Sequence, residues 1–369
     1  MRNTLNVAAI QMYARPGTVT ANLAEAERLV RAAAAESAQL VVLPEYFNTG
    51  YQLSDDSFVL AEWRQGRTWR WVTSLAVELG IYLAGGFLVR KDGEVYNTLL
   101  LSGPEGQTWD YDKRHPFAWE RAFVRPGRHP MVAETPLGRF GLLMSWDCAY
   151  ADTFAALAGA VDLLLISSCA PRFHDTVLTY PDGGQLRLAQ LNPIARRIRA
   201  GSEGLFSSNI ERQAAYLGIP VVHACPSPSG QLRTTIPRAH ASYLTMTALN
   251  PSRWLRLEQA DLARVDIGFF AETSIVYPAG QTTTATTTGN EVVTATILLA
   301  DATPLPAGRP PAPVPTVAYL VEGLIQRLMV PVYENAMGRQ TLYTARFLLT
   351  LAGLLFAGYW LRQLRRHSR

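Results

Sequence analysis

Between residues 5 and 299 apolar positions follow two alternating rhythms, unbroken or period-two runs of four to eight residues and stretches of period 3.6, which predicts an α/β fold. Leu5-Asn6-Val7-Ala8-Ala9-Ile10-Gln11-Met12 reads as a strand. Residues 22–37 read as an Ala- and Glu-rich helix with apolar positions at Leu23, Ala26, Leu29, Val30 and Ala33. A second strand is expected at 40–43. Thr68 is expected to cap a helix that runs to Leu79, with 81–89 returning as a strand and 96–102 pairing beside it. Strand, helix, strand, strand is the order of one half of an αββα sandwich. The other half is expected from a strand at 141–144, a helix around 153–160, a strand at 161–167, a helix at 208–217 and a strand at 221–224. A hairpin of 274–280 with 292–299 would close it. Trp63, Arg67 and Trp71, at helical spacing, suggest the packed surface of a helix covering the sheet. No repeat of fixed period is present.

Past residue 302 the rhythm changes. The pattern divides the chain into an α/β domain over 1–302, a Pro-rich extended linker over 303–316, an amphipathic segment over 317–340 and a hydrophobic helix with a basic tail over 341–369. Residues 342–361 are almost wholly apolar, interrupted by Arg346, and end on Tyr359 and Trp360 before Arg362, Arg365, Arg366 and Arg369. That is the composition of a membrane anchor with aromatic and basic residues at the interface. With no apolar signal core at the N-terminus, the α/β domain is expected on the cytoplasmic side, membrane-associated through this helix. An in-plane or re-entrant helix satisfies both that placement and the positive-inside rule; a tail-anchored span is the alternative.

Composition narrows the chemistry. A chain of 369 residues with 48% hydrophobic content can bury a full core. The net charge of +4 resides largely in the arginines of the tail, which leaves the body nearly neutral and argues against nucleic acid as a partner. Cys148, Cys169 and Cys225 show neither a disulfide framework nor zinc-ligand spacing, which fits a reducing compartment. His174, His223 and His240 also lack ligand spacing, and no glycine-rich phosphate loop follows a strand. Neither a metal nor a cofactor is expected.

Three segments each place a reactive side chain just past an apolar run, where parallel strands end and a crevice opens. They are Val41-Val42-Leu43-Pro44-Glu45, Tyr111-Asp112-Lys113-Arg114-His115 and Gly141-Leu142-Leu143-Met144-Ser145-Trp146-Asp147-Cys148. A carboxylate in a partly dry crevice suits a base, and an ammonium suits an oxyanion. In order and local sequence these segments resemble the nitrilase or carbon-nitrogen hydrolase superfamily. So do Tyr96-Asn97-Thr98, Gly159-Ala160-Val161-Asp162-Leu163-Leu164-Leu165, Ile219-Pro220-Val221-Val222 and Ser274-Ile275-Val276-Tyr277-Pro278-Ala279-Gly280.

The resemblance implies an αββα sandwich of the nitrilase type in which a Glu base, a Lys and a Cys nucleophile cleave amides or nitriles through a thioester. Glu45 and Lys113 match the first two, and Ser145 stands where the family carries its cysteine. Glu120 falls where many members carry a second Glu that orients the Lys or the substrate, although a surface ion pair with Arg121 or Arg125 would also explain it. His115 reads as structural. Cys148, three residues past the elbow, reads as a small buried hydrophobe. Serine needs a stronger base than this one, so three readings stand at position 145: a cysteine-to-serine replacement that arrests the enzyme, a natural serine nucleophile, or a member that has lost catalysis. The first is favoured, since every other catalytic position is intact.

The expected activity is therefore hydrolysis of a small or lipid-like amide. Acyl transfer to an amine and a non-catalytic scaffold are the alternatives. Pocket walls are expected from loops at 52–65 and 170–203. A homodimer or larger homo-oligomer is expected through an apolar helix at 150–160.

Overall fold

A computed structural model of the chain describes residues 4–52, 54–169, 171–172, 175–187, 204–236, 238–247, 251–300, 303–314 and 316–339, together with Gly353. Two mixed sheets face each other. The first runs in the order Glu291–Leu298, Thr4–Gln11, Leu40–Glu45, Tyr82–Lys91, Glu94–Ser102, Thr108–Asp112. The second runs Thr282–Thr284, Ser274–Val276, Val221–Ala224, Leu163–Ser167, Gly138–Met144, Met131–Thr135. Val7, Ala9, Val42, Ala84 and Leu101 of the first sheet meet Leu142, Leu165, Val222 and Ile275 of the second in one continuous core.

Each sheet has an outer layer. Helix Val19–Ala35 buries Leu23, Ala26, Leu29, Val30 and Ala33, the stripe its spacing predicts, and with helix Arg67–Leu79 it covers Ile10, Val41, Leu43 and Leu83. Helix Ser208–Leu217 covers the other sheet through Ile210, Ala214 and Leu217. The layers are thus helix, sheet, sheet, helix, as the sequence pattern leads one to expect.

Several expected details differ. Residues 274–280 and 292–299 form no hairpin. Ser274–Val276 turns back at once, through Pro278-Ala279-Gly280, onto Thr282–Thr284, whereas Glu291–Leu298 pairs along its whole length with Thr4–Gln11 in the other sheet. The threonine run reads as loop in sequence, but its β-branched side chains suit an edge strand. Thr68 is not the N-cap of its helix, which starts at Arg67; the carboxylate of Glu62 caps it, accepting Thr68 N–H at 2.6 Å and Thr68 Oγ1–H at 2.5 Å. Trp63 lies outside that helix, on the short strand Glu62–Trp63 and 66% exposed, and Trp69 is the buried indole instead. The apolar helix expected at 150–160 is shorter, Ala151–Ala155 followed by turns.

Two features lie beyond the pattern. A third sheet of four short strands, Gln185–Arg187, Val177–Thr179, Arg264–Gly268 and Gln231–Thr234, is built partly from the stretch expected to be loop. The Pro-rich segment is docked rather than free: Gln213 Nε2 donates to Pro311 O at 2.8 Å, and Val314 joins the main core. Helix Thr316–Ala336 follows it. Among the described residues no helix is long and apolar enough to cross a membrane, and the anchor expected over 341–369 lies outside them, apart from Gly353.

The sheets are stitched together at the end where the parallel strands finish. Glu45 N–H donates to Ser168 O at 3.2 Å, and Ser167 Oγ–H donates to Leu43 O at 2.8 Å. Gly86 lies in the same seam; a Cβ there would stand 2.6 Å from Met144 Cε, 3.1 Å from Ser167 Oγ and 3.2 Å from Glu45 Cα. Overpacking of this kind costs about 1–3 kcal/mol. Gly86→Ala is expected to lower unfolding free energy by that amount in urea titration, and an unchanged midpoint would show that the seam yields.

Candidate active site

Three strand ends bring the expected residues together. Glu45 is the last residue of Leu40–Glu45, Lys113 follows Thr108–Asp112, and Ser145 follows Gly138–Met144. With Glu120, Tyr51, Phe117, Trp146, Cys169, Pro171 and Phe206 they line one crevice of about 300 Å³ up to its open mouth. Cys148 is fully buried elsewhere, and burial pushes its thiol well above the ordinary range. Its register is therefore that of a core residue.

At the centre is a buried ammonium. Lys113 Nζ donates to Glu45 Oε1 and to Glu120 Oε2, both at 2.7 Å, with all three side chains at most 2% exposed. Burial by itself would strip the proton from this lysine, but the two carboxylates outweigh it and raise its proton affinity. Glu120 also accepts from Phe117 N–H at 2.7 Å, from Asn97 Nδ2 at 2.8 Å and from the Tyr46 hydroxyl. The surface ion pair considered for it is not formed: Arg121 pairs with Glu322, and Arg125 with Glu94 and Glu334.

Glu45 differs in its surroundings. Its Oε1 accepts from Lys113 and from Asn97 Nδ2 at 2.7 Å, while Oε2 accepts the Cys169 N–H at 2.7 Å. Burial pushes its carboxyl up to about 7; Lys113 opposes that shift and the Glu120 charge adds to it. Such a carboxyl exchanges its proton near neutral pH, as a general base requires.

Ser145 occupies a sharp elbow with φ +40°, the left-handed region that a non-glycine residue adopts only where its surroundings hold it. Asp147 does much of that holding. It accepts from Tyr111 OH at 2.8 Å, His115 N–H at 2.8 Å and Met144 N–H at 3.2 Å, which ties the elbow to both residues flanking the Lys113 segment. Burial pushes Asp147 up to about 6. His115 is a packing residue, its ring stacked 3.6 Å from that of Tyr150 and burial lowering its pKa to about 4.

With this geometry in place, residues 6–185 match the family described as carbon-nitrogen hydrolase. Over that stretch, just under half of its length, the chain is similar to the carbon-nitrogen hydrolases. A nitrilase of Pyrococcus abyssi is 32% identical over 159 residues, 42% of this chain and 60% of that protein. An omega-amidase of Danio rerio is 31% identical over 142 residues, 36% of this chain and 51% of that protein. The chain thus spans between half and two-thirds of these relatives' length. The solved structure of an amidase from Nesterenkonia sp. superposes with a TM-score of 0.56 at 17% identity, covering 81% of this chain and 92% of that one, a likeness of fold.

Four residues of the crevice were not singled out from sequence. Tyr46 and Asn97 orient the two carboxylates, Asp147 holds the elbow, and the peptide of Cys169 is clasped from both sides, its N–H by Glu45 and its carbonyl by Ser145 Oγ at 3.0 Å. The signals were present in Pro44-Glu45-Tyr46, Tyr96-Asn97-Thr98 and Ser145-Trp146-Asp147, but only the fold shows what they face. Among the described residues no cluster could hold a metal.

Removing the ammonium leaves two carboxylates buried side by side. Lys113→Met is expected to destabilise the domain by about 3–5 kcal/mol at pH 8. Glu45, whose proton affinity is already raised, is then protonated in the folded state at higher pH than when unfolded, so stability returns as pH falls towards 5. Urea unfolding at the two pH values checks this, and a loss independent of pH would show that the charge cluster is not its source.

Proposed function

We propose that this domain hydrolyses small carboxamides, with residue 145 as the attacking position, Glu45 as the base and Lys113 as the oxyanion-stabilising charge. The observation that carries the reading is the convergence of Glu45, Lys113, Glu120 and Ser145 in one buried crevice walled by Tyr51, Phe117, Trp146 and Phe206. Those aromatic walls favour an amide with a small apolar acyl group. The activities for which the Pyrococcus and Danio relatives are named point to the same bond class.

In the proposed reaction the side chain at 145 gives its proton to Glu45 and attacks the amide carbon. The carbonyl oxygen takes up negative charge against Lys113. Glu45 returns the proton to the amine as the carbon-nitrogen bond breaks, which leaves an acyl group on residue 145. Water, deprotonated by Glu45, then releases the acid and restores the side chain. Glu120 accepts from Lys113 and keeps the ammonium aimed.

With serine at 145 the first step is slow. A hydroxyl is a far weaker acid than a thiol, and here it donates to Cys169 O instead of to Glu45. The experiment measures ammonia release from amides of graded acyl length by the chain as it stands and by Ser145→Cys. The substitution is expected to raise kcat/KM by about 100-fold or more, with a thioester route sensitive to alkylation. Because the base must be unprotonated, the rate should fall as pH drops through about 7, the value that burial gives Glu45. Acyl appearing on an added amine in preference to water would establish acyl transfer. Amide binding without turnover in Ser145→Cys would establish the scaffold reading, and robust turnover abolished by Ser145→Ala would make serine the working nucleophile.

Action at a membrane is proposed on the sequence of residues 341–369, whose apolar run and basic end suit an interfacial anchor. A chain ending at residue 340 should leave the membrane fraction, and one that stays removes the assignment.

A further inference from the structure

The family match ends at residue 185, yet helix Thr316–Ala336 reaches three of the elements that hold the crevice. At the elbow, Tyr319 OH donates to Ala149 O at 2.7 Å, and its ring lies 5.3 Å from that of Tyr150. At the turn Ala118–Ala122, which carries Glu120, Arg121 donates from Nε and Nη2 to Glu322 Oε1 at 3.1 and 2.9 Å. On strand Glu94–Ser102, which carries Asn97, Tyr333 OH accepts from Val95 N–H at 3.1 Å and donates to Glu94 at 2.5 Å. Buried positions recur along one face at Ala318, Glu322, Met329 and Tyr333, while Leu320 is 72% exposed.

The middle contact bears most directly on the chemistry. Arg121 and Glu322 are 4% and 6% exposed, so their pair lies out of water, where losing one partner costs most. Arg121 is the neighbour of Glu120 on a five-residue turn that is closed by bonds between Glu120 and Phe117 and by Phe123 and Val124 N–H donating to Glu120 O. One side of that turn faces Lys113 through Glu120, and the other is tied to the helix through Arg121. Without the carboxylate of Glu322 a buried guanidinium is left unpaired. The cheapest relief is for the turn to rotate and carry Arg121 towards water, which draws Glu120 off Lys113.

We propose that Glu322 is a positioning residue: its buried pair with Arg121 fixes the turn that aims Glu120 at Lys113, so the helix after the Pro-rich segment is a working part of the site. Its effect on turnover rests on the proposed hydrolysis. Its effect on the charge inside the crevice does not.

The test uses the full chain carrying Ser145→Cys, so that the introduced thiol reports on the crevice without turnover. Alkylation by iodoacetamide is followed against pH and assigned by peptide mass spectrometry. Glu45 is faced by Lys113, Glu120, Tyr46, Tyr51 and Cys169, and of these only Glu120 is moved by the proposed mechanism. Loss of the Glu120 charge from beside Glu45 removes a repulsion, so in Glu322→Gln the inflection near pH 7 should move down by about one unit. Amide exchange in the peptide spanning 117–124 should quicken by about tenfold. Glu334→Gln, on the same helix but paired with Arg125 and Arg339, should change neither. Glu322→Asp, which keeps the carboxylate if the glutamine variant fails to fold, should give an intermediate shift. Unchanged exchange in Glu322→Gln, or equal effects in Glu334→Gln, overturns the proposal and leaves the helix as packing alone. If exchange responds while the parent shows no inflection, the positioning stands and Glu45 is not the group that titrates.

Discussion

One buried ammonium sets the terms for the rest of this site. Taking an ion out of water costs several kcal/mol, so Lys113 is tolerated only because two carboxylates meet it at 2.7 Å. The second carboxylate has a chemical consequence. A single glutamate would form a neutral pair with the lysine and would lack the repulsion that the Glu120 charge adds to burial. Two glutamates leave the cluster one negative charge in excess, and the excess is expressed at Glu45, which burial and the Glu120 charge push up to about 7 against the pull of Lys113. The donors are distributed to match. Glu120 accepts from Lys113, Asn97, Tyr46 and Phe117, and Glu45 from Lys113, Asn97 and the Cys169 N–H.

That arrangement needs walls that do not move, and the sandwich supplies them at the seam. Where the parallel strands end, the sheets are joined by Glu45 N–H to Ser168 O and Ser167 Oγ–H to Leu43 O, and Gly86 lies so close that a Cβ there would crowd Met144 Cε and Glu45 Cα. The positive φ at Ser145 follows from the same closeness. The chain must leave strand Gly138–Met144 and at once turn Asp147 back onto Tyr111 and His115. Strain at the elbow is thus held by contacts to the Lys113 segment, so nucleophile position and ammonium are fixed relative to each other.

Much of this was legible in the sequence because buried parallel strands write themselves as apolar runs, and the residue after each run is where side chains from different strands can meet. Glu45 and Ser145 are found that way; Lys113 is not, because the strand before it, Thr108–Asp112, is an antiparallel edge strand that alternates polar and apolar residues. What escaped has physical reasons. Val177–Thr179 and Gln185–Arg187 are three-residue strands, too short for a period to show. The supposed hairpin failed because 274–276 and 291–298 are each good strands, and nothing local states which sheet a strand will join. Glu120 stayed ambiguous because Arg121 and Arg125 are as attractive to it, locally, as a distant lysine. The ambiguity ends only because those arginines have partners of their own, Glu322 and Glu334, some 200 residues further along. An amphipathic segment at 317–340 could be read, but not the surface it covers.

If the proposed hydrolysis holds, position 145 is where the backbone frame bears most directly on the chemistry. The Cys169 peptide lies between the prospective base and the prospective nucleophile, its N–H held by Glu45 and its carbonyl by Ser145. A serine hydroxyl is a good donor and settles on that carbonyl, with its proton directed away from Glu45. To attack, it must break this bond and then ionise against a base matched to a stronger acid. A thiol at the same place donates weakly, gains little from the carbonyl and ionises far more readily near the pH at which Glu45 exchanges its proton. On the proposed hydrolysis, two effects would act in the same direction to favour sulfur over oxygen: the hydrogen bond that holds the hydroxyl on Cys169 O, and the raised proton affinity of Glu45.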